Sequence, residues 1–384
     1  MKKISYLEIL KTFLKIGATC WGGPAIVAYI RKEIVEKKKW LSDEEFKETL
    51  GFCQLFPGPI AVQTAAHIGF RIKGFLGSLI AFLFYTLPTF LLMLILSYLY
   101  FKYEKIPSFL KLFEFLDFVI VAIIIEAIWS MRNIVSQNYK GIILVFFSGV
   151  AFLLNGQVIL ILLAAGLLGV LLFEKESGKK IPFKNYLSSF GKSSLLPIFI
   201  LLLLPVIFFL VEKITPNLGL LCFKMAKVNL LAFGGGYTAV ALMFRESVLN
   251  TNWLTENEFI KGLAFGQITP GPVIITATFI GYKVGGLIGA VLATIAVFFP
   301  SYFILILLSP LYKEISSLSF LKAFTLGLLC AFMGMLFQLL VHVTSAIEIN
   351  FINILIILVS VILLRLKVSP IYLILLSSLL SFFS

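Results

Sequence analysis

Charge is scarce in this chain. Asp, Glu, Lys and Arg together make up 13% of its 384 residues, about half of the roughly 25% that a soluble globular protein carries. Aspartate hardly occurs: Asp43 and Asp117 are the only two. Asp43 falls in a hydrophilic loop, which argues against an intramembrane aspartyl pair. The two histidines, His67 and His342, sit in no H-E-x-x-H arrangement, and no G-x-x-x-x-G-K-[ST] phosphate loop is present. Neither a metalloprotease-type centre nor direct ATP-driven pumping is expected, and no enzymatic activity, cofactor or metal is indicated. The four cysteines (Cys20, Cys53, Cys222, Cys330) are widely spaced, with no C-x-x-C pair. They read as small apolar packing residues rather than a disulfide framework. The first residues, MKKISYLEILKTFLKIG, carry charges through their apolar stretch and no A-x-A cleavage signal, so the segment is expected to be retained.

Apolar side chains are what the chain has in excess. They make up 60% of it, roughly 230 residues, far more than a core of this size can hide. At about 20 residues per bilayer crossing they could fill roughly eleven spans. A soluble enzyme, a nucleic-acid binder, a disordered chain and a secreted disulfide scaffold are all excluded. The net charge of +13 does not indicate nucleic acid, because the basic residues lie between apolar runs, where they act as topology determinants. The sequence therefore specifies an all-α polytopic membrane protein.

Apolar runs fall at about 5–30, 59–70, 75–101, 117–130, 141–154, 157–173, 195–211, 217–243, 268–282, 286–309, 320–344, 351–364 and 369–383. Several are shorter than a full crossing, so thirteen runs need not be thirteen spans. The hydrophilic stretch 174–192, with Gly, Pro and five lysines, reads as a linker between two membrane halves. The expected division is an N-terminal repeat at 1–173, a basic linker with one unpaired helix at 174–216, and a C-terminal repeat at 217–384.

The repeat is written in five landmarks. Trp21-Gly22-Gly23-Pro24 recurs as Phe233-Gly234-Gly235-Gly236, and the run from Trp40 to Phe46 recurs from Trp253 to Phe259. Gln54-Leu55-Phe56-Pro57-Gly58-Pro59 recurs as Gln267-Ile268-Thr269-Pro270-Gly271-Pro272. Gly69-Phe70-Arg71 with Gly74 and Gly77 recurs as Gly281-Tyr282-Lys283 with Gly286 and Gly289, and Pro88-Thr89 as Pro300-Ser301. Every pair keeps nearly the same offset, from Trp40 and Trp253 through to Pro88 and Pro300.

Segment 195–211 has no counterpart. If each repeat crosses an even number of times, this one helix turns the second copy upside down. Charge agrees: loop 31–39 holds five basic residues and its partner 244–252 holds one, so the two loops are expected on opposite sides. An inverted-topology repeat is a mark of secondary transporters. With all thirteen runs crossing and the N-terminus inside, 19 Lys and Arg lie inside and 13 outside. If instead the two Gly/Pro-broken segments of each repeat dip in and return, the tally becomes 23 inside and 9 outside. The re-entrant topology is favoured. Both place the C-terminus outside.

The two Q-x-x-P-G-P motifs are the main site candidates. Proline suits a first helical turn and not a helix interior. Pro57-Gly58-Pro59 thus predicts a break followed by a helix from Ile60 toward Arg71, and Pro270-Gly271-Pro272 a break followed by a helix toward Lys283. A helix broken at membrane depth leaves amide hydrogens and a positive dipole end that suit an anion, tolerated only where it lines a cavity or is buried in protein. Gln54 and Gln267 could add amide donors. The competing reading is two proline kinks packed against neighbours.

Gly22-Gly23 and Gly234-Gly235-Gly236 either form a second pair of breaks facing the P-G-P turns or only allow close helix contact. Arg71 and Lys283 occupy matched positions that could attract an anion or simply snorkel to the interface. Glu126, inside an apolar run, is a weak candidate for proton or charge coupling, with pairing to Arg132 as the alternative. His67 has no ionisable counterpart in the second repeat and reads as packing.

The paired W/F-G-G-P/G, W-L-x-x-x-E-F and Q-x-x-P-G-P motifs resemble those of the chromate ion transporter (CHR) family over nearly the whole chain, as in a long, two-domain member. Trp21 stands where the family usually has Phe, and Gly236 where the second copy usually has Pro. The resemblance implies transport of chromate, which is similar to sulfate in shape and charge, across the cell membrane, with chromate efflux and resistance. It also implies that shorter, one-domain members work as oppositely oriented pairs. The expected partners are a chromate- or sulfate-type oxyanion and membrane lipid, with a homodimer left open.

Physics gives a direction. Each charge leaving an inside-negative cell gains about 2.3 kcal/mol per 100 mV, and two charges sustain a gradient of about 2,000-fold. Export needs no coupling ion. The expectation is an oxyanion exporter working by alternating access. The alternatives are a channel-like anion pore, distinguished by unsaturable flux, and a non-transporting membrane scaffold.

Overall fold

The computed structural model describes residues 4–21, 23–106, 113, 115–135, 139–174, 195–312, 315, 318–345, 347 and 350–383. Every regular element among them is helical. The expected 174–192 linker lies outside the described residues apart from Glu174. Two compact units arise, and neither is a repeat. The first takes residues 1–94, 176–239 and 269–319, and the second takes 95–175, 240–268 and 320–384. Each unit therefore draws on both repeats.

In the first unit, α1 (Tyr6–Thr19) stops at Cys20, and α2 (Gly23–Arg31) continues into a six-residue π-helical turn, Lys32–Lys37. Fourteen residues of α1 span about 21 Å at 1.5 Å each, short of the roughly 30 Å hydrocarbon layer. The chain then returns: Lys15 Nζ lies 3.3 Å from Glu33, Lys38 Nζ 3.4 Å from Glu8, and the Thr19 and Tyr29 hydroxyls 3.3 Å apart. Partners on the two sides of the glycine break meet in this nested order only if α1 and α2 fold back as a hairpin, the local shape that the re-entrant expectation requires.

Next comes α3 (Asp43–Cys53). It explains the W-L-[ST]-x-x-E-F motif. Ser42 Oγ accepts from the Glu45 amide and Glu45 returns a carboxylate oxygen to the Ser42 amide, a reciprocal capping box. Hydrogen bonds from Lys47 and Arg31 hold the Asp43 carboxyl below the usual range.

The long apolar helix α4 (Ile60–Tyr103) is two helices, because Lys73 and Gly74 leave helical geometry and Gly74 has φ +65°. Gly69 and Gly77 face one another so closely that a Cβ on either would overlap the other's carbonyl. The chain thus reverses at Gly74 into an antiparallel hairpin. The second repeat does the same in α12 (Thr276–Leu308), with φ +57° at Gly286 and Gly281 against Gly289. These glycines are fixed by close backbone approach. The helices α8 (Leu195–Ile214) and α9 (Pro216–Leu231) complete this unit, with Gly219 against the Glu212 backbone.

The second unit holds α5 (Leu116–Val135), α6 (Tyr139–Leu153), α7 (Val158–Phe173), α11 (Glu256–Ile268), α13 (Ser319–Ser345), α14 (Phe351–Arg365) and α15 (Pro370–Phe383). The helix α10 (Gly236–Phe244) begins among residues of the first unit and ends among those of the second, followed by a second π turn, Arg245–Asn250. That turn is the repeat counterpart of the first, with Arg245 answering to Lys32. Glycines again permit contact: Gly149 packs on Gly334 of α13, and a Cβ at Gly327 would overlap the Ala165 carbonyl of α7. Buried Arg245 donates to the Gly156 carbonyl at 2.7 Å and to Gln338 Oε1 at 3.2 Å. Thr255 and Glu258 repeat the capping box at the start of α11.

Four helices among the described residues are long and apolar enough to cross a membrane: Ile60–Tyr103, Leu196–Ile214, Val273–Leu311 and Ser319–Ser345. The four cysteines are buried free thiols. Removing either cap, by Ser42→Ala or Thr255→Ala, is expected to cost about 1 kcal/mol each. Denaturant unfolding in detergent checks this, with Ser42→Asp expected to stay near the parent.

Candidate functional site

The broken elements of both repeats meet inside the first unit, and they meet crosswise. The Gly58 amide donates to the Ala232 carbonyl at 2.7 Å, and the Gly271 amide to the Cys20 carbonyl at 2.8 Å. Each P-G-P turn thus docks on the glycine break of the other repeat, the reciprocity that a two-fold relation between two copies produces. Gly234 and Gly235 have φ of +84° and +120°, so the second glycine run is a true break. Its role as a partner for the P-G-P turn, rather than mere close packing, follows from the Gly58 hydrogen bond. In the first repeat Gly22 lies outside the described residues, while Gly23 and Pro24 open α2. Gly236 opens α10.

One expectation needs correction. The amides of Gly58 and Gly271 are not bare, since each is spent on a carbonyl across the repeat boundary. What remains for a ligand at the first break is the opening turn of α4, Ile60 to Val62, whose amides have no intrahelical acceptor.

The fifth landmark completes the crossing. Gly58 has φ +107°, and a Cβ there would sit 2.5 Å from Ser301 Oγ; Gly271 has φ +103° and faces the Thr89 hydroxyl in the same way. The Pro-Thr and Pro-Ser pairs within α4 and α12 therefore each cradle the other repeat's P-G-P glycine. Thr89 Oγ1 donates to the Pro270 carbonyl. Ser301 is held by Asn229 of α9, which accepts from its amide at 2.7 Å and donates to its hydroxyl at 2.9 Å.

Beside the first break, Pro59, Val62, Gln63, Phe82, Phe298, Ser301 and Tyr302 line a packed recess whose gaps are each narrower than a water molecule. Two polar atoms of its lining residues are buried with no hydrogen-bond partner among the described residues: Gln63 Oε1 and the Tyr302 hydroxyl. Both side chains are 1% exposed. The buried Ser78 hydroxyl lies beside that of Tyr302. Buried polar groups are nearly always paired. The Gln63 amide nitrogen donates to the Pro57 carbonyl, which fixes the amide's orientation and leaves the oxygen over.

The remaining candidates fall elsewhere. Gln54 caps α3 and is exposed. Gln267, in the second unit, is buried, with neither amide atom paired among the described residues. Arg71 is engaged by Glu45 at 3.3 Å, Glu48 at 3.6 Å and the Thr49 hydroxyl at 3.3 Å, above the Tyr312 ring. It ties α3 to the first half of α4. Lys283 is exposed. In the second unit Glu126 lies 3.7 Å from Arg365, while Arg132, the partner weighed from the sequence, donates to the Trp129 carbonyl and stacks on its ring at 4.2 Å.

Sequence reasoning missed Gln63, Ser301, Tyr302 and Asn229 as site residues. The repeated Pro-[ST] landmark pointed at Ser301, but nothing in the sequence said it faced Gly58. Missed too were a buried ion pair, Lys261 with Asp117, and the buried Glu33 held by Lys15 and Lys37.

A multi-pass helical membrane protein of two repeats, with broken helices docked on each other, has the build of a secondary transporter. The chain belongs to the chromate transporter family, whose model matches residues 7–170 and again 219–382. Over 383 residues it is 32% identical to an uncharacterized transporter of Methanocaldococcus jannaschii, covering 98% of this chain and 94% of that one. A chromate transport protein of Pseudomonas aeruginosa is 34% identical over 305 residues, 78% of this chain and 71% of its own. One of Cupriavidus metallidurans is 28% identical over 331 residues, covering 85% and 80%. No solved structure matches the chain.

Proposed function

We propose that this protein exports chromate or a related tetrahedral oxyanion across the cytoplasmic membrane by alternating access. The single observation that carries the proposal is the crosswise docking of each P-G-P turn on the glycine break of the other repeat, Gly58 on Ala232 and Gly271 on Cys20. The opening turn of α4 supplies unpaired amides and a positive dipole end. Pro57, Gly58 and Pro59 set that turn, and Ser301 and Asn229 hold it from the second repeat. Pro270, Gly271 and Pro272, cradled by Thr89, form the mirror element.

The crosswise docking supports alternating access. Each re-entrant hairpin is pinned to the other repeat by a glycine hydrogen bond, so displacement of one break loads the other. The relatives named for chromate transport support the substrate class. The membrane potential supplies the direction, since each exported negative charge gains about 2.3 kcal/mol per 100 mV.

Purified protein in vesicles carrying a fixed potential should move chromate, saturably. If neither chromate nor sulfate crosses while the protein remains folded, the reading is wrong.

A further inference from the structure

One end of the second unit gathers cations that the transport reading does not use. Trp129 of α5 is 42% exposed and draws two guanidiniums to its indole. The Arg132 Cζ lies 4.2 Å and the Arg365 Cζ 4.0 Å from the ring centroid. Lys367 follows two residues later, in the turn that ends α14, with φ +64°. Among the described residues a single carboxylate faces these three cations: Glu126, 3.7 Å from Arg365 and so beyond hydrogen-bond distance. Its Oε2 is buried with no hydrogen-bond partner there. Basic side chains that only snorkel spread their charges toward water. Here two like charges converge. The ring attracts each one singly, but their mutual repulsion calls for a shared counter-charge.

The helices around them form a step. At 1.5 Å per residue, α5 is about 30 Å long, whereas α14 and α15 reach only about 22 and 21 Å, short of the roughly 30 Å hydrocarbon layer. The far ends are level, because the Phe115 amide before α5 donates to Ser381 Oγ of α15 at 3.2 Å. The turn between α14 and α15 therefore stops more than one helical turn short of the end of α5, beside Glu126 and Trp129. Cations recessed there are costly unless an anion meets them. Leu358 and Ile362, one and two turns before Arg365, are exposed apolar side chains on α14. The topology expected from loop charge puts this end in the cytoplasm, on the side where anionic lipid attracts basic residues.

We infer that this step seats an acidic phospholipid, its phosphate shared by Arg132 and Arg365, with Lys367 adding charge and an acyl chain lying along Leu358 and Ile362. Native mass spectrometry of the purified protein, offered phosphatidylglycerol and phosphatidylcholine of equal chain length, reads the preference. Phosphatidylglycerol should be retained at least about tenfold more tightly, as one to two uncompensated cations imply. Arg132→Gln with Arg365→Gln should bring the ratio below about threefold, and Lys213→Gln, a basic residue of the first unit, should leave it unchanged. Because losing Arg365 strands the Glu126 carboxylate, the double variant is also read with Glu126→Gln added. Inorganic phosphate or chromate at millimolar concentration should not displace the lipid. Equal retention of the two lipids by the parent protein overturns the inference. So does a preference that survives the double variant or is lost equally in Lys213→Gln. Displacement by phosphate or chromate assigns the cluster to a free anion and overturns it as well. The parent comparison needs no variant to fold, and none of these outcomes bears on chromate flux.

Discussion

Replacing Gly58 or Gly271 with alanine is expected to reduce chromate flux at least a hundredfold. Two physical reasons combine. At φ of +107° and +103° an L-residue is outside its allowed basins, a strain of about 1–3 kcal/mol. In addition, the new methyl would overlap the Ser301 or Thr89 hydroxyl of the opposite repeat, pushing apart the crosswise hydrogen bonds to Ala232 and Cys20. The two contributions can be separated. Ser301→Gly removes the obstruction in front of Gly58 but not the strain, so Gly58→Ala with Ser301→Gly should recover roughly a tenth of the parent flux. Vesicle flux, normalised to folded protein by size-exclusion, reads the outcome. Full activity in either single variant would mean that the docking of the breaks plays no part in transport.

The second large effect belongs to the second unit. Lys261 of α11 is bonded to Asp117 of α5 and donates to the Phe113 carbonyl at 3.1 Å, with side-chain exposures of 7% and 16% for the two charged partners. Breaking a buried pair by removing one partner leaves an uncompensated charge and costs about 3–5 kcal/mol, whereas replacing both with apolar groups of similar size is often neutral. Asp117→Asn is therefore expected to lower the melting temperature in detergent sharply, and Asp117→Leu with Lys261→Met to restore most of it. If the double variant stays as unstable as the single one, the pair contributes something other than mutual neutralisation.

Much of the fold was legible because the repeat was. Its nearly constant offset located the breaks at 57–59 and 270–272, since Pro and Gly act on the local backbone whatever surrounds them, and it flagged the glycine run at 234–236 as either a break or a close contact. The re-entrant course favoured from loop charge requires α1 and α2 to fold back on each other, and the Lys15–Glu33 and Lys38–Glu8 pairs show that fold-back. The π turns at 32–37 and 245–250 left no trace in hydropathy, because so slight a widening of the helix over a single turn barely alters an apolar period. Nor could sequence show where Arg71 would spend its charge. Its carboxylate partners, Glu45 and Glu48, lie in and beside a capping motif whose local role concealed their reach across to α4.

By itself the sequence determined the class, the duplication and the helix breaks at the two P-G-P turns. Those follow from solvent preference and from backbone sterics, both properties of a short stretch of chain. Only the tertiary structure decided that each P-G-P turn answers to the opposite repeat, that the Gly58 and Gly271 amides are already taken, and that Gln63 is left with an unpaired oxygen in a packed recess. A hydrogen-bond ledger closes over whole space, not over a segment. Which donors and acceptors remain for a ligand is therefore settled only when segments from opposite halves of the chain, such as Gly58 with Ala232 and Cys20 with Gly271, are brought together.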